Sequence, residues 1–169
     1  MKIKEIYIDK YGLPNTDDSY NQLKNWIEHT GKFVKNFPDF RTYKIKLYQS
    51  TFNRDYYLIA FDHEEPIALI SFRSGYKYKH IVLSKVKRDY QNQGLGMAMY
   101  LMLINEYNAL VSDHTVTLMG KRAWERLVKM PAVTVRSYEP DNDTYGPRIR
   151  TYKALKDLIN TPLLLIAKK

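Results

Sequence analysis

The sequence predicts a mixed α/β layered domain, and three observations carry that reading. Between Tyr56 and Val86 three strand-like runs follow one another across short turns, the signature of an antiparallel meander. From Gly94 to Tyr107 the chain is apolar and, Ile104 apart, free of β-branched residues, which favours a helix. A short apolar run, a second helical stripe and further strand-like runs come next, so one strand–helix–strand crossover is embedded in the sheet.

Taken in order, Lys2 to Ile8 alternates around Ile3, Ile6 and Ile8 and reads as a strand. Thr16-Asp17-Asp18-Ser19 offers caps ahead of the helical stripe Leu23, Trp26 and Ile27, which should stop near Gly31. Lys44 to Tyr48 is a short strand. The meander strands are Tyr56–Phe61, Ile67–Phe72 and Tyr78–Val86, turning at an acidic run that ends in Pro66 and at Ser74-Gly75. Asn108 to Ser112 is a buried strand, and Thr117 to Lys129 a helix with Leu118, Trp124, Leu127 and Val128 on one side, ended by Pro131. A strand runs from Val133 to Tyr138, a loop from Glu139 to Pro147, a short helix from Arg150 to Ile159 and a last strand from Leu163 to Ala167.

A chain of 169 residues buries roughly 70% of its unfolded surface and needs no covalent staples. Without repeats or Gly/Ser linkers, 1–169 reads as one domain, with 1–55 an N-terminal strand and helix region and 56–167 the core that carries the motif below. The 44% hydrophobic and 27% charged content is that of a soluble globular protein. No apolar run approaches the ~20 residues of a membrane span, and MKIKEIYIDK lacks the apolar stretch of a secretory signal. Absence of cysteine excludes disulfides, thiolate zinc sites and thiol nucleophiles. A cytoplasmic protein without a membrane partner is expected.

Lys and Arg number 27 against 18 Asp and Glu, a formal charge of +9. Solubility is one use of such a balance; a polyanionic partner is another, either nucleic acid or a ligand with several phosphates. Between Pro66 and Asn105 the only acid is Asp89, against Arg73, Lys77, Lys79, Lys85, Lys87 and Arg88.

That cationic block contains Val86-Lys87-Arg88-Asp89-Tyr90-Gln91-Asn92-Gln93-Gly94-Leu95-Gly96, the link from the third meander strand to the long helix. A polar loop with two close glycines at a helix start presents unpaired N–H groups in one direction. The helix dipole adds positive charge there, and glycine lets a phosphate come close to the backbone. A pyrophosphate is the natural guest. No Gly-Lys-Ser/Thr is present, which excludes a Walker A loop. The third glycine and the later acid of a dinucleotide fingerprint are missing as well.

Gln91-Asn92-Gln93-Gly94-Leu95-Gly96 resembles, at every fixed position, the Gln/Arg-x-x-Gly-x-Gly/Ala signature of the GNAT superfamily of N-acetyltransferases. Val86 and Asp89-Tyr90 match its wider pattern. By layout the resemblance covers Tyr56 to Ala167; by sequence it is confined to this segment. It implies a central, mostly antiparallel sheet with a splayed strand pair and helices on both faces. It also implies acetyl-coenzyme A as co-substrate, no metal, and acetyl transfer to a primary amine by direct attack in a ternary complex. On this reading the backbone from Gln91 through Asn92, Gln93, Gly94 and Leu95 to Gly96 holds the pyrophosphate. The strand edge at Lys85 and Val86 pairs with the pantetheine arm, and an N–H near Val86 polarises the carbonyl. The strand from Ala109 splays away to leave the slot. The acceptor, a small amine or a protein, is unspecified.

Family members often carry an asparagine after that second strand and, further on, a tyrosine that protonates the departing thiolate. Aligned on Trp124-Glu125-Arg126-Leu127, Trp124 stands at the tyrosine and Thr117 at the asparagine, leaving Thr117 as the cofactor contact. An indole N–H is no general acid. The alternative expectation is therefore a silent GNAT-like module that binds coenzyme A or another protein. Asp113 and His114, at the strand end, are the candidate bases; capping of the next helix is the plainer role for Asp113. Val111-Ser112-Asp113 with Gly120 and Ala123-Trp124 also resembles bacteriophage-encoded GNAT-like proteins, which would place it in a host cytoplasm.

The remaining candidates have plainer readings. His29, His63, His80 and His114 lack metal-ligand spacing. Tyr76-Lys77-Tyr78-Lys79 has the alternation of a single-strand nucleic-acid binder, and an exposed meander strand explains it equally. Lys121, Arg122, Arg126 and Lys129 form a solvated helix face, from which Lys121 and Arg122 could alternatively reach an adenosine phosphate.

Overall fold

The structure, a computed structural model, describes residues 19–74, 77–112, 118–151, 153–155 and 164–169. The strand expected at Lys2–Ile8 lies outside the described residues. Among the described residues nine strands form one sheet in the order β1-β2-β3-β4-β5-β6-β9-β7-β8. They are β1 (Gly31–Phe40), β2 (Tyr43–Ser50), β3 (Asp55–Asp62), β4 (Glu65–Ser74), β5 (Lys79–Val86), β6 (Ala109–Val111), β7 (Thr134–Glu139), β8 (Thr144–Arg148) and β9 (Leu164–Lys168). The helices are α1 (Ser19–Thr30), α2 (Leu95–Tyr107) and α3 (Leu118–Lys129). Of the helix expected over Arg150–Ile159, Lys153 to Leu155 are helical, with the Ala154 amide donating to Thr151 Oγ1.

Every pairing is antiparallel except β5 with β6, which run parallel. The crossover from β5 through α2 to β6 is the expected strand–helix–strand unit. Leu95, Met99 and Leu103 of α2 and Trp124 and Leu127 of α3 bury against Leu58, Ile70, Phe72 and Ile81. On the other face α1 packs Tyr20 and Leu23 on Tyr57, Ile59 and Leu69. The fold is the mixed α/β layer with a mostly antiparallel sheet and helices on both faces that the sequence predicts.

Two strands depart from the sequence reading, and both lie at the ends of the sheet that the described residues form. Nothing in the sequence announces β1, because an edge strand with one side in solvent has no apolar alternation; Phe37 is its one buried residue. Pro38 is tolerated because an edge needs hydrogen bonds on one side only, and the β1–β2 register slips on both sides of the Lys35–Phe37 stretch. The second correction is β8. The segment expected as a loop, Glu139 to Pro147, is the turn and most of the outer arm of a hairpin with β7. Its Gly-Pro pair suits an outermost strand, and a Cβ at Gly146 would lie 2.1 Å from Ser137 Oγ, so a side chain there would displace its neighbour.

Candidate functional site

The site begins with a bulge. On β4, Ser71 pairs with Leu83 and the next residue, Phe72, pairs with Ile81, which leaves Val82 as an extra residue on β5. Such an insertion bends and twists its strand. The parallel contact of β5 with β6 is confined to Lys79–Leu110 and His80–Val111. The other edge of β6 pairs with β9 along its length, and that ladder continues past Val111: the Ser112 amide donates to the Leu165 carbonyl at 2.8 Å, and the Leu165 amide to Ser112 Oγ at 2.9 Å. Among the described residues β5 has no β6 partner past His80, and Ser84 and Val86 of β5 line a cleft.

From β5 the Lys87 amide still donates to Ile67 O, then Arg88–Tyr90 makes one 3₁₀ turn. Asn92 (φ 61°) and Gly94 (φ 85°) are left-handed, a conformation asparagine tolerates and glycine adopts without strain. Space does not demand glycine at 94, since a Cβ would meet only the Phe40 ring at 3.8 Å; backbone direction does. At Gly96 a Cβ would stand 3.4 Å from Val86 Cγ2, the near limit of ordinary contact, where α2 lies against β5, so the position favours a small residue.

Side chains hold this loop from below. Gln91 Nε2 donates to Val86 O (3.0 Å) and Gln93 Nε2 to Asp89 O (3.1 Å). Tyr43 OH donates to Gln93 Oε1 (3.2 Å) and Tyr90 OH to Asp62 Oδ2 (2.8 Å). The Asp62 carboxylate holds the Tyr90 phenol above its ordinary pKa. Helix α2 then opens with no side-chain cap, its first internal bond running from the Ala98 amide to Gly94 O at 3.0 Å. The amides of Leu95, Gly96 and Met97 precede any carbonyl one turn back, so they are donors without a helical partner.

Those amides border a cleft enclosing about 570 Å³, part of it continuous with solvent. One wall is Ser84 and Val86 with the loop from Tyr90 to Asn92; the facing wall is Arg122, Ala123 and Arg126 of α3. No acid lines it. Tyr100 makes the floor, its phenol pushed up to about 12 by burial, partly offset by its bond to Ser84.

Of the residues singled out in the sequence, Val86, Gln91, Asn92, Gly94, Leu95 and Gly96 line this cleft, as does Arg122. Lys85, between two cleft-facing residues of an alternating strand, and Gln93, turned to Tyr43 and Asp89, do not. Asp113, His114 and Thr117 lie outside the described residues. Trp124 is 1% exposed and spent on the core. Arg126 and the bracing tyrosines Tyr43 and Tyr100 carry no motif, whereas Tyr90 belongs to the segment's wider pattern; the spacing of Arg126 one turn after Arg122 is the one signal that could have pointed to that arginine.

A second polar cluster occupies the other sheet face, where Ala109, Val111 and Ile166 pack with Tyr78, Tyr138 and Tyr145. Lys77 Nζ bonds Asp143 (2.6 Å), Lys168 Nζ donates to Tyr78 OH (3.0 Å), and the Tyr78 and Tyr145 hydroxyls share a 2.5 Å bond. Burial raises the Tyr78 pKa, but the bonds from Lys168 and Tyr145 outweigh it and bring the phenol below its ordinary value. Lys79 bonds Ser74 and stacks on Tyr56 and Tyr107. The lysines of the Tyr-Lys alternation are thus engaged within the protein.

No family model matches the chain, and no curated protein matches it in sequence. Among solved structures it is similar to a Bacteroides thetaiotaomicron protein assigned to the GNAT acetyltransferases, at 16% identity and a TM-score of 0.40, over 70% of this chain and 64% of that one. It is also similar to the ribosomal-protein-S18-alanine N-acetyltransferase of Escherichia coli (14% identity, TM-score 0.39, 90% of this chain and 88% of that one). A third is a GNAT-family acetyltransferase of Elizabethkingia anophelis with acetyl-CoA bound (14% identity, TM-score 0.39, 90% and 85%). What the cleft can hold follows from its own residues.

Proposed function

We infer that this chain is an acyl-coenzyme A-dependent N-acyltransferase that binds acetyl-coenzyme A in the cleft and passes the acetyl group to a primary amine. The observation that carries the reading is the uncapped start of α2: donors without helical partners, behind a left-handed glycine, open into a cleft that no acid lines among the described residues, beside the stretch of β5 beyond its pairing with β6. A pyrophosphate suits the amides of Leu95, Gly96 and Met97, and an extended amide-bearing arm suits the β5 edge at Ser84 to Val86.

In the transfer the amine nitrogen attacks the thioester carbonyl carbon, the C–N bond forms and the C–S bond breaks. The sulfur leaves with the electron pair and takes a proton, while the attacking nitrogen gives one up. Asp113 or His114, following Ser112 at the end of β6, is the proposed base, directly or through water. Calorimetric titration with acetyl-coenzyme A should give micromolar binding, and thiol release with a panel of amines should give turnover. No binding at high micromolar concentration would overturn the reading.

The core position of Trp124 favours one second reading: a module that binds coenzyme A without transfer. Binding with no thiol release from any amine or protein acceptor would select it.

A further inference from the structure

Helix α3 carries Lys121, Arg122, Arg126 and Lys129 against the single acid Glu125. Arg122 and Arg126 stand one turn apart, both exposed, on the wall of the cleft that faces the uncapped start of α2. Glu125 is three residues from Arg122, a pairing interval on a helix, yet neither arginine has an ion-pair or hydrogen-bond partner among the described residues. Like charges one turn apart repel and weaken a helix. Helix-dipole stabilisation accounts for Arg126, in the last turn; it does not account for Arg122, which lies in the middle. Two guanidiniums turned into an opening whose other wall offers main-chain donors make a second place for an anion, and their planar forks match a phosphate.

We propose that Arg122 and Arg126 form a second phosphate subsite, across the cleft from the α2 amides, which reads the phosphate on the ribose of the coenzyme's adenosine. The chain thereby selects coenzyme A over its dephosphorylated form. This rests on the coenzyme reading above, and assigns the two cationic features of the cleft to two different phosphate groups.

The test is calorimetry at low salt with coenzyme A and with 3′-dephospho-coenzyme A, on the parent protein and on the Arg122→Gln/Arg126→Gln double variant. The parent should bind coenzyme A about tenfold more tightly than the dephospho form. The double variant should bind both alike, at the affinity the parent shows for the dephospho form. That retained affinity also reports that the variant is folded. Added salt should shrink the parent's preference, since both arginines are exposed. Equal affinities in the parent would overturn the proposal and leave the coenzyme site standing. So would a parallel loss of both ligands in the double variant, which would put the arginines on the pyrophosphate instead. Failure of the parent to bind either ligand would remove the coenzyme site and the proposal together.

Discussion

Two regions of the molecule gather cations, and they use them in opposite ways. Around Tyr78, the ammonium groups of Lys77 and Lys168 are each bonded to a partner, and three tyrosines and Asp143 close the network. In the cleft, Arg122 and Arg126 face the first-turn amides of α2, and among the described residues no acid lines the space between them. A charge that is already paired fixes structure; a charge left facing an opening is available to a ligand. Net charge alone does not separate the two, because the same +9 is spread over both.

The comparison breaks most readily at Gly94. Replacing it with glutamate puts a side chain on a left-handed residue and a negative charge beside the donors. It should lower acetyl-coenzyme A affinity at least a hundredfold, and cost about 1–2 kcal/mol of stability from the strained backbone; calorimetry and urea melts measure the two. Next in size is alkaline stability. Tyr100 keeps its proton to about 12 in the folded chain but ionises near 10 when unfolded, so the unfolded state holds fewer protons in that window. Stability from this group is complete below pH 10 and is lost as pH rises from 10 to 12. Urea unfolding at pH 9 and pH 11 should show the loss, and Tyr100→Phe should reduce it.

Smaller effects fall on either side of the contrast. Tyr43→Phe removes the bond that steadies Gln93, and should weaken acetyl-coenzyme A binding about threefold, the scale of one modest hydrogen bond. Tyr78→Phe cuts the hydroxyl that joins Lys168 to Tyr145. It should cost about 1 kcal/mol in a urea melt and leave coenzyme affinity unchanged. A matching loss of affinity would mean the two regions are not separate.

How much of this could be read beforehand followed from burial. The meander β3–β4–β5 and the helices carry their own periodicity because each buries a defined face, as Ile59 and Leu58 do on opposite sides of one strand. Among the described residues strands β1 and β8 form the sheet's edges, with little to bury, and leave no pattern in Gly31–Phe40 or Thr144–Arg148. The loop was legible because its left-handed turn favours glycine at 94 and the contact of α2 with β5 favours a small residue at 96. The bracing by Tyr43 and the cleft position of Arg126 were not, since both depend on contacts far apart in the chain. The Val82 bulge, which bends β5, is visible only as a slip in register.

The most direct measurement is an amide-resolved NMR titration of the labelled protein with acetyl-coenzyme A. The amides of Leu95, Gly96 and Met97 should move most, and those of Lys77, Tyr78 and Tyr145 should stay in place. Shifts centred on the Tyr78 cluster, or none at saturating ligand, would contradict the cradle at the start of α2.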